Sequence, residues 1–223
     1  MLLKSVVLLS GGLDSTVSLV QAMRESKVEL CLTMDYGQRA APREIKAAKE
    51  ICLYYHIPHQ VIELPFLKQI TRTALTDREA KIPEPAEESL NDLTITRGTA
   101  TAVWVPNRNG LFINLAACFA ESLGCNLIVT GFNREEAATF PDNSEDFVHA
   151  VNHALNFTLT PRKVKVVSYT QRLDKVEIVY LGQCLGIPWD LLWSCYFGGQ
   201  AACGRCESCL RYQRACKSAN LSL

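Results

Sequence analysis

The stretch Val6-Val7-Leu8-Leu9-Ser10-Gly11-Gly12-Leu13-Asp14-Ser15-Thr16 decides the fold. Residues 6–9 are apolar without alternation, as a strand buried on both faces requires. The glycine pair turns the chain, and Val17, Leu19, Val20 and Met23 then fall at helical spacing over residues 14–24. Strand, glycine turn and helix open an α/β unit. A helix starting there points unpaired N–H groups, with their partial positive charge, back over the turn. Two glycines let an anion approach that backbone closely. The stretch therefore reads as a phosphate-binding loop, to which Ser10, Ser15 and Thr16 add hydroxyls. It lacks the Gly-Lys-Ser/Thr ending of a Walker loop and the Gly-x-Gly-x-x-Gly of a dinucleotide turn. Asp14 has two readings that do not exclude each other, a helix N-cap and a ligand of the Mg²⁺ that accompanies phosphates.

Working outward, the pattern predicts strands at 30–34, 60–64, 127–130 and 164–167. It predicts helices at 44–55, 111–123 (stopped by Gly124), 144–155 and 174–185 (stopped by Gly186 and Pro188). The alternation gives the fold class: α/β, a Rossmann-like doubly wound and mainly parallel sheet covered on both faces. Two stretches break it. Residues 76–110 carry Pro83, Pro85, Gly98, Pro106 and Gly110 with little periodicity, and are expected to form a substrate loop or lid. The tail from Trp189 is rich in Cys and Gly and needs something other than a hydrophobic core to hold it. The organisation expected is a nucleotide-binding unit over 1–188 and a small metal-binding segment over 189–223.

The 223 residues hold 23 basic and 23 acidic side chains, which argues against a nucleic-acid binder that relies on bulk positive charge. No apolar segment has the length of a membrane span. Lys4 before a short apolar run resembles a signal peptide only mildly, because Ser10-Gly11-Gly12 follows in place of a cleavage site. A cytoplasmic protein is expected.

Ten cysteines are many for such a chain. Cys31, Cys52, Cys118, Cys125 and Cys184 lie in apolar stretches, where a thiol serves as a small core residue. Cys195, Cys203, Cys206 and Cys209 are spaced C-x7-C-x2-C-x2-C, and Gly204 relieves the turn between them. Four thiolates satisfy one tetrahedral, closed, structural Zn²⁺ per chain. The rivals are disulfides and an iron–sulfur cluster that recruits Cys216. The six residues before Cys216 do not match the three of the ferredoxin run, so zinc is favoured.

Ser-Gly-Gly-x-Asp-Ser directly after an apolar strand resembles the PP-loop of ATP pyrophosphatases. With the cysteine cluster at the other end, the chain resembles the 7-cyano-7-deazaguanine synthase family of queuosine and archaeosine biosynthesis, essentially end to end. The likeness rests also on Asp35-Tyr36-Gly37-Gln38-Arg39, Pro106-Asn107-Arg108-Asn109, Phe140-Pro141-Asp142, Asp174-Lys175-Val176-Glu177-Ile178 and Ser194-Cys195-Tyr196. It implies adenylation of 7-carboxy-7-deazaguanine by ATP with Mg²⁺, displacement of AMP by ammonia to give an amide, and a second activation that yields the nitrile. It implies a homodimer, free ammonium as nitrogen source, and no stable nucleic-acid or membrane partner. ATP falls to Leu9, Ser10, Gly11, Gly12, Leu13, Asp14, Ser15, Thr16, Val17, Ser18 and Leu19. Catalysis falls to Asp14, Lys175 and Arg108, and the deazapurine to Tyr36, Gln38, Arg39, Asn107, Gly131 and Asp142. Ala40 in place of a family histidine, Thr139 and Asn143 in the Pro-Asp motif, and a zinc gap one residue short are departures. They keep open an enzyme that stops at the amide or takes another deazaguanine; a tRNA-thiolation enzyme of the same class is a further alternative.

Beside these roles stand plainer ones. Arg108 reads also as a solvated loop charge, Lys175 as a helix-surface lysine paired with nearby acids, and Asp142 as the N-cap of the next helix. His149 and His153 share a helix face without the glutamate of a zincin and are read as packing or surface residues. Trp104, Trp189 and Trp193 are read as core or interface side chains, with residues 189–197 offering apolar surface for a dimer.

Overall fold

A computed structural model describes residues 2–160 and 163–221; Met1 and Leu223, the outer bounds of the two expected units, lie outside the described residues. Five strands, β1 (Lys4–Leu8), β2 (Lys27–Asp35), β3 (His59–Glu63), β4 (Leu127–Thr130) and β5 (Lys165–Ser168), form one parallel sheet in the order β3-β2-β1-β4-β5. The helices are α1 (Leu13–Glu25), α2 (Ala41–Tyr54), α3 (Pro65–Ile70), α4 (Leu93–Val103), α5 (Arg108–Ser122), α6 (Arg134–Ala137), α7 (Glu145–Thr158), α8 (Lys175–Leu185) and α9 (Glu207–Ser218).

The apolar run of β1 serves both faces of the sheet. Val6 packs in one core with Ile113, Ala116 and Ala117 of α5, whereas Val7 packs in another with Leu19 and Ala22 of α1 and Ile51 of α2. Successive strand residues point to opposite faces, so a central strand covered on both sides needs apolar residues throughout. Each such side chain contributes about 1.5–3 kcal/mol of burial. The chain winds from β1 to β2 on one side and to β4 on the other. The crevice above the carboxyl ends of β1 and β4 is therefore the topological switch point, where open α/β sheets bind ligands.

Two expectations need correction. Residues 76–110 are not an irregular loop: a 3₁₀ turn (Glu87–Asn91), α4 and the start of α5 occupy much of them, with Ile82, Leu90 and Val105 in the core. The β-branched residues and Gly98 of α4 disfavour a helix intrinsically. Tertiary burial of Thr96, Ala100 and Val103 and capping by Asp92, which accepts from the N–H groups of Thr94 and Ile95, override that. The tail does have a core: Ala215 and Cys216 of α9, with Ala219 just after it, pack on Ile178 and Val179 of α8. Trp189 packs towards Gly182 and Trp193 donates its backbone N–H to Gly11 O, so the stretch 189–197 is tied to the domain with its aromatic side chains partly buried. Among the described residues no helix is long and apolar enough to cross a membrane.

Candidate active site and zinc centre

A cavity of about 280 Å³ opens at the switch point, between the carboxyl ends of β1, β2 and β4 and the first turns of α1, α5 and α8. Its floor is the glycine loop. Gly12 is the N-cap of α1 and offers no side chain to its N–H groups, so that end of the helix faces the cavity uncapped. Gly11 has φ +78°, and a Cβ there would lie 2.7 Å from Ala47 Cβ of α2, so the position admits glycine alone. Ser10 and Ser15 line the cavity with their hydroxyls 3.1 Å apart. Thr16 does not add a third hydroxyl to the cavity, because its Oγ1 donates to Gly12 O at 2.8 Å. Val17, Ser18 and Leu19 are buried behind the loop, Ser18 with its hydroxyl 3.3 Å from that of Thr170; Leu9, Ser10, Gly12, Leu13, Asp14 and Ser15 line the cavity itself. Gly131 presses on this loop from β4: a Cβ on it would stand 2.6 Å from Ser15 N.

Asp14 is not an N-cap, since Gly12 holds that place and Asp14 is the second residue of α1. Its Oδ2 accepts from Lys175 Nζ at 2.5 Å, while its Oδ1 is buried without a protein partner. Lys175 also donates to Glu136 Oε1 at 2.9 Å. This lysine is only 11% exposed, so it is paired with acids but is no surface residue. Burial alone would lower its pKa; Asp14 first and Glu136 next outweigh burial and raise it, and the amine stays charged. Burial raises the Asp14 pKa against the pull of Lys175. The sequence places Lys175 as the first residue of α8 through a capping box, in which Asp174 accepts the Glu177 N–H and Glu177 accepts that of Asp174.

Across the cavity stands Arg108. It is the first residue of α5 and not a loop charge, because α5 begins earlier than periodicity suggested. Its Nη1 donates to Tyr36 Oη at 3.0 Å, and its guanidinium lies 5.6 Å from the centre of the same ring. Burial lowers its pKa, and Tyr36 and Asp142 more than restore it. Gln38 lines the wall, accepting the Tyr36 N–H and donating to Met34 O and, at 2.7 Å, to Glu44.

Three expected substrate residues do not reach the cavity. Arg39 donates to the carbonyls of Asp77 and Ala80 and ties that segment down, with Phe197 under its guanidinium. Asn107, at φ +52°, turns the chain into α5. Asp142 sits in a 3₁₀ turn, and its backbone carbonyl accepts from Asn109 Nδ2 at 3.2 Å; the N-cap of α7 is Ser144. His149 and His153 are exposed on α7, the latter edge-on to Phe157. Glu136, Glu44 and Phe112 also line the cavity and went unnoticed, since each is an ordinary helix residue with no motif around it.

The sulfurs of Cys195, Cys203, Cys206 and Cys209 lie within 4.8 Å of one another. Backbone N–H groups of Phe197 and Cys203 point at Cys195 Sγ, and that of Cys206 at Cys203 Sγ, each at 3.3 Å, as suits thiolates. Gly204, at φ +73°, makes the turn. None of the ten cysteines is in a disulfide, and Cys216 is buried in the α8–α9 core. The donor set fits a closed tetrahedral Zn²⁺.

A phosphate loop at the switch point that faces a pocket with a cation of its own is the arrangement of the PP-loop enzymes, and fold and site place the chain in that ATP-using class. Residues 4–220 match the family described as queuosine biosynthesis protein QueC, and the chain belongs to that family. It is 57% identical over 221 residues to a 7-cyano-7-deazaguanine synthase of Pelotomaculum thermopropionicum, covering 99% of this chain and 100% of the relative. Relatives of the same name from Desulforudis audaxviator (58%, 97% and 98% covered) and Bdellovibrio bacteriovorus (46%, 99% and 95%) agree.

Proposed function

We propose that this enzyme converts 7-carboxy-7-deazaguanine, ammonia and two ATP into 7-cyano-7-deazaguanine. The observation that carries the reading is the single cavity joining the phosphate loop and Lys175 at one wall to Arg108 and Tyr36 at the other, in a chain of this family. A carboxylate substrate and a nucleotide have complementary partners there.

Uncapped N–H groups of α1 bind the terminal phosphates of ATP, and Asp14 Oδ1, a buried oxygen without a partner, suits Mg²⁺. That ion, when bound, neutralises phosphate charge. Lys175 holds its proton and offsets the charge that develops around the α-phosphate. Arg108 orients the substrate carboxylate, since a guanidinium pairs with both oxygens. A carboxylate oxygen attacks the α-phosphorus and pyrophosphate leaves. Ammonia then attacks the acyl carbon, AMP departs with the C–O electron pair, and loss of one proton from nitrogen leaves the amide. The amide oxygen attacks the α-phosphorus of the second ATP and pyrophosphate leaves; loss of AMP with the C–O electron pair and of the two remaining protons on nitrogen leaves the C≡N bond. Zinc would be held by Cys195, Cys203, Cys206 and Cys209, and four thiolates would give it a structural part with no catalytic position left over. Relatives named for the nitrile do not favour an enzyme that stops at the amide, or tRNA thiolation. We further propose two functional segments, 1–188 and 189–223, in a cytoplasmic homodimer acting on small molecules. Free thiols and balanced charge support the compartment and substrate class; the dimer rests on the family resemblance.

Mass spectrometry of products from ATP, Mg²⁺ and 7-carboxy-7-deazaguanine tests the proposal. Ammonium is expected to support the nitrile and glutamine is not. Accumulation of amide alone, or turnover on glutamine in a clean preparation, would refute the respective step.

A further inference from the structure

Glu135, beside the cavity residue Glu136, joins the zinc-binding segment to the head of α8. Its Oε1 accepts the backbone N–H of Lys175 at 2.9 Å. That N–H is one of the first-turn donors that a helix cannot satisfy itself. Its Oε2 accepts from Arg211 Nη1 at 2.9 Å and Arg214 Nη2 at 3.2 Å, both on α9. Arg211 is the hub. It also takes Glu207 Oε1 with Nε and Nη2, and donates from Nη2 to Leu90 O at the 3₁₀ turn before α4. Only 11% of its side chain is exposed, against 18% for Glu135.

We infer that Arg211 is a positioning residue for Lys175 and acts through Glu135; the inference rests on the reading of Lys175 as the cation of the adenylation site. A carboxylate so enclosed needs its counter-charge, and a guanidinium addresses several acceptors in one plane where an ammonium addresses one point. With Arg211 in place, Glu135 is fixed at both oxygens and holds the first residue of α8 where its amine meets Asp14 and Glu136. Without it, Glu135 keeps only Arg214, the more distant and more exposed of its two cations, so its hold on the Lys175 N–H loosens and the amine loses its address. α9 carries Cys209 two residues before Arg211, so the metal centre stands behind the active-site lysine through Arg211 and Glu135.

The test uses the full-length zinc-loaded protein and its Arg211→Lys, Arg211→Gln and Glu135→Gln variants, each with zinc per chain measured. Amine labelling of the nucleotide-free protein with acetic anhydride, read by mass spectrometry, reports the exposure of each lysine. Arg211→Gln and Glu135→Gln are expected to raise labelling of Lys175 about fivefold or more while Lys46 on α2 stays unchanged and zinc remains at one per chain. The kcat falls about tenfold with little change in KM for the deazapurine, Arg211→Lys restores it only partly, and the double variant is no worse than the worse single. Unchanged Lys175 labelling in zinc-replete Arg211→Gln overturns the positioning role, as do losses in the two single variants that multiply. A general rise in labelling with loss of zinc in Arg211→Gln, repeated in Arg211→Lys, assigns the residue to tail folding and also overturns it. If labelling responds while Lys175→Met retains full activity, the positioning stands and the catalytic reading of Lys175 fails instead.

Discussion

Lys175 Nζ lies 2.5 Å from Asp14 Oδ2, so the first residue of α8 closes on the second residue of α1 across 161 positions of sequence. Asp14→Asn keeps the shape of this contact and removes the charge. It is expected to leave the fold intact and to cut AMP formation about 100-fold, the scale of losing one preorganised electrostatic partner. Lys175→Met is expected to be as damaging and to lower the melting temperature as well, because Asp14 and Glu136 would then face each other without a cation. Pyrophosphate release measured with saturating substrate decides it; near-normal turnover in Asp14→Asn would reject the role.

Gly131→Ala tests the loop from the other side. The new Cβ meets backbone at 2.6 Å (Ser15 N) and 2.8 Å (Ser15 Cα), which no rotamer relieves. ATP KM is expected to rise at least about tenfold, on the scale of the roughly 1–3 kcal/mol that overpacking costs. Gly98→Ala in α4, where a Cβ meets nothing within 4 Å, is expected to stabilise the protein by about 0.5–1 kcal/mol. Equal behaviour of the two variants in nucleotide titrations would contradict the reading.

Each of Cys195, Cys203, Cys206 and Cys209 changed to Ser should strip zinc and destabilise the C-terminal segment, since structural zinc is worth about 10–16 kcal/mol of apparent binding in small modules. Cys216→Ser should keep one zinc per chain, because its thiol lies in the α8–α9 core. Metal analysis is the readout. Iron with visible absorbance, or a full zinc complement after Cys206→Ser, would show the centre to be something else.

His59 supplies an acid-sensitive element behind Thr33, a residue of the cavity wall. Thr33 gives its hydroxyl proton to Leu9 O, so His59 Nε2, 2.8 Å from Thr33 Oγ1, carries the hydrogen of that bond. Burial first, and Lys49 second, depress the imidazole pKa below 6.5. A depressed pKa favours the unfolded state once that state binds its proton. The stability is therefore complete above pH 6.5 and declines as pH falls from there through the folded value. Urea melts from pH 8 to 5 should show wild type losing stability over this window relative to His59→Gln. Parallel curves would remove His59 from the account.

The sheet was legible in β1 because a strand covered on both faces leaves an unbroken apolar run, and the phosphate loop because it is local. The four cysteines were legible for the same reason: two-residue gaps bring thiolates together whatever the rest of the chain does. Glu135, Glu136 and Glu44 were not, since a carboxylate on a helix looks the same whether it faces solvent or a lysine forty positions away. α4 was hidden by threonines whose propensity is overruled by burial. Arg39 and Asp142 stood in the right motifs, yet one bolts down the segment at 77–80 and the other braces the start of α5 through its carbonyl. A motif marks a neighbourhood, and only the folded chain says which member faces the ligand.

The wide separation of Asp14 and Lys175 also bears on how the protein is made. A ribosome adds roughly 5–20 residues per second, so the glycine loop exists for roughly 10–30 s before the lysine that closes it has been synthesised. The strand that completes the switch point, β4, arrives late in that interval, and the tail that packs on α8 later still. A growing chain thus carries an anion-binding turn without the lysine to which the proposed mechanism gives the catalytic charge. On that mechanism unfinished copies are expected to spend no ATP until the last helices dock.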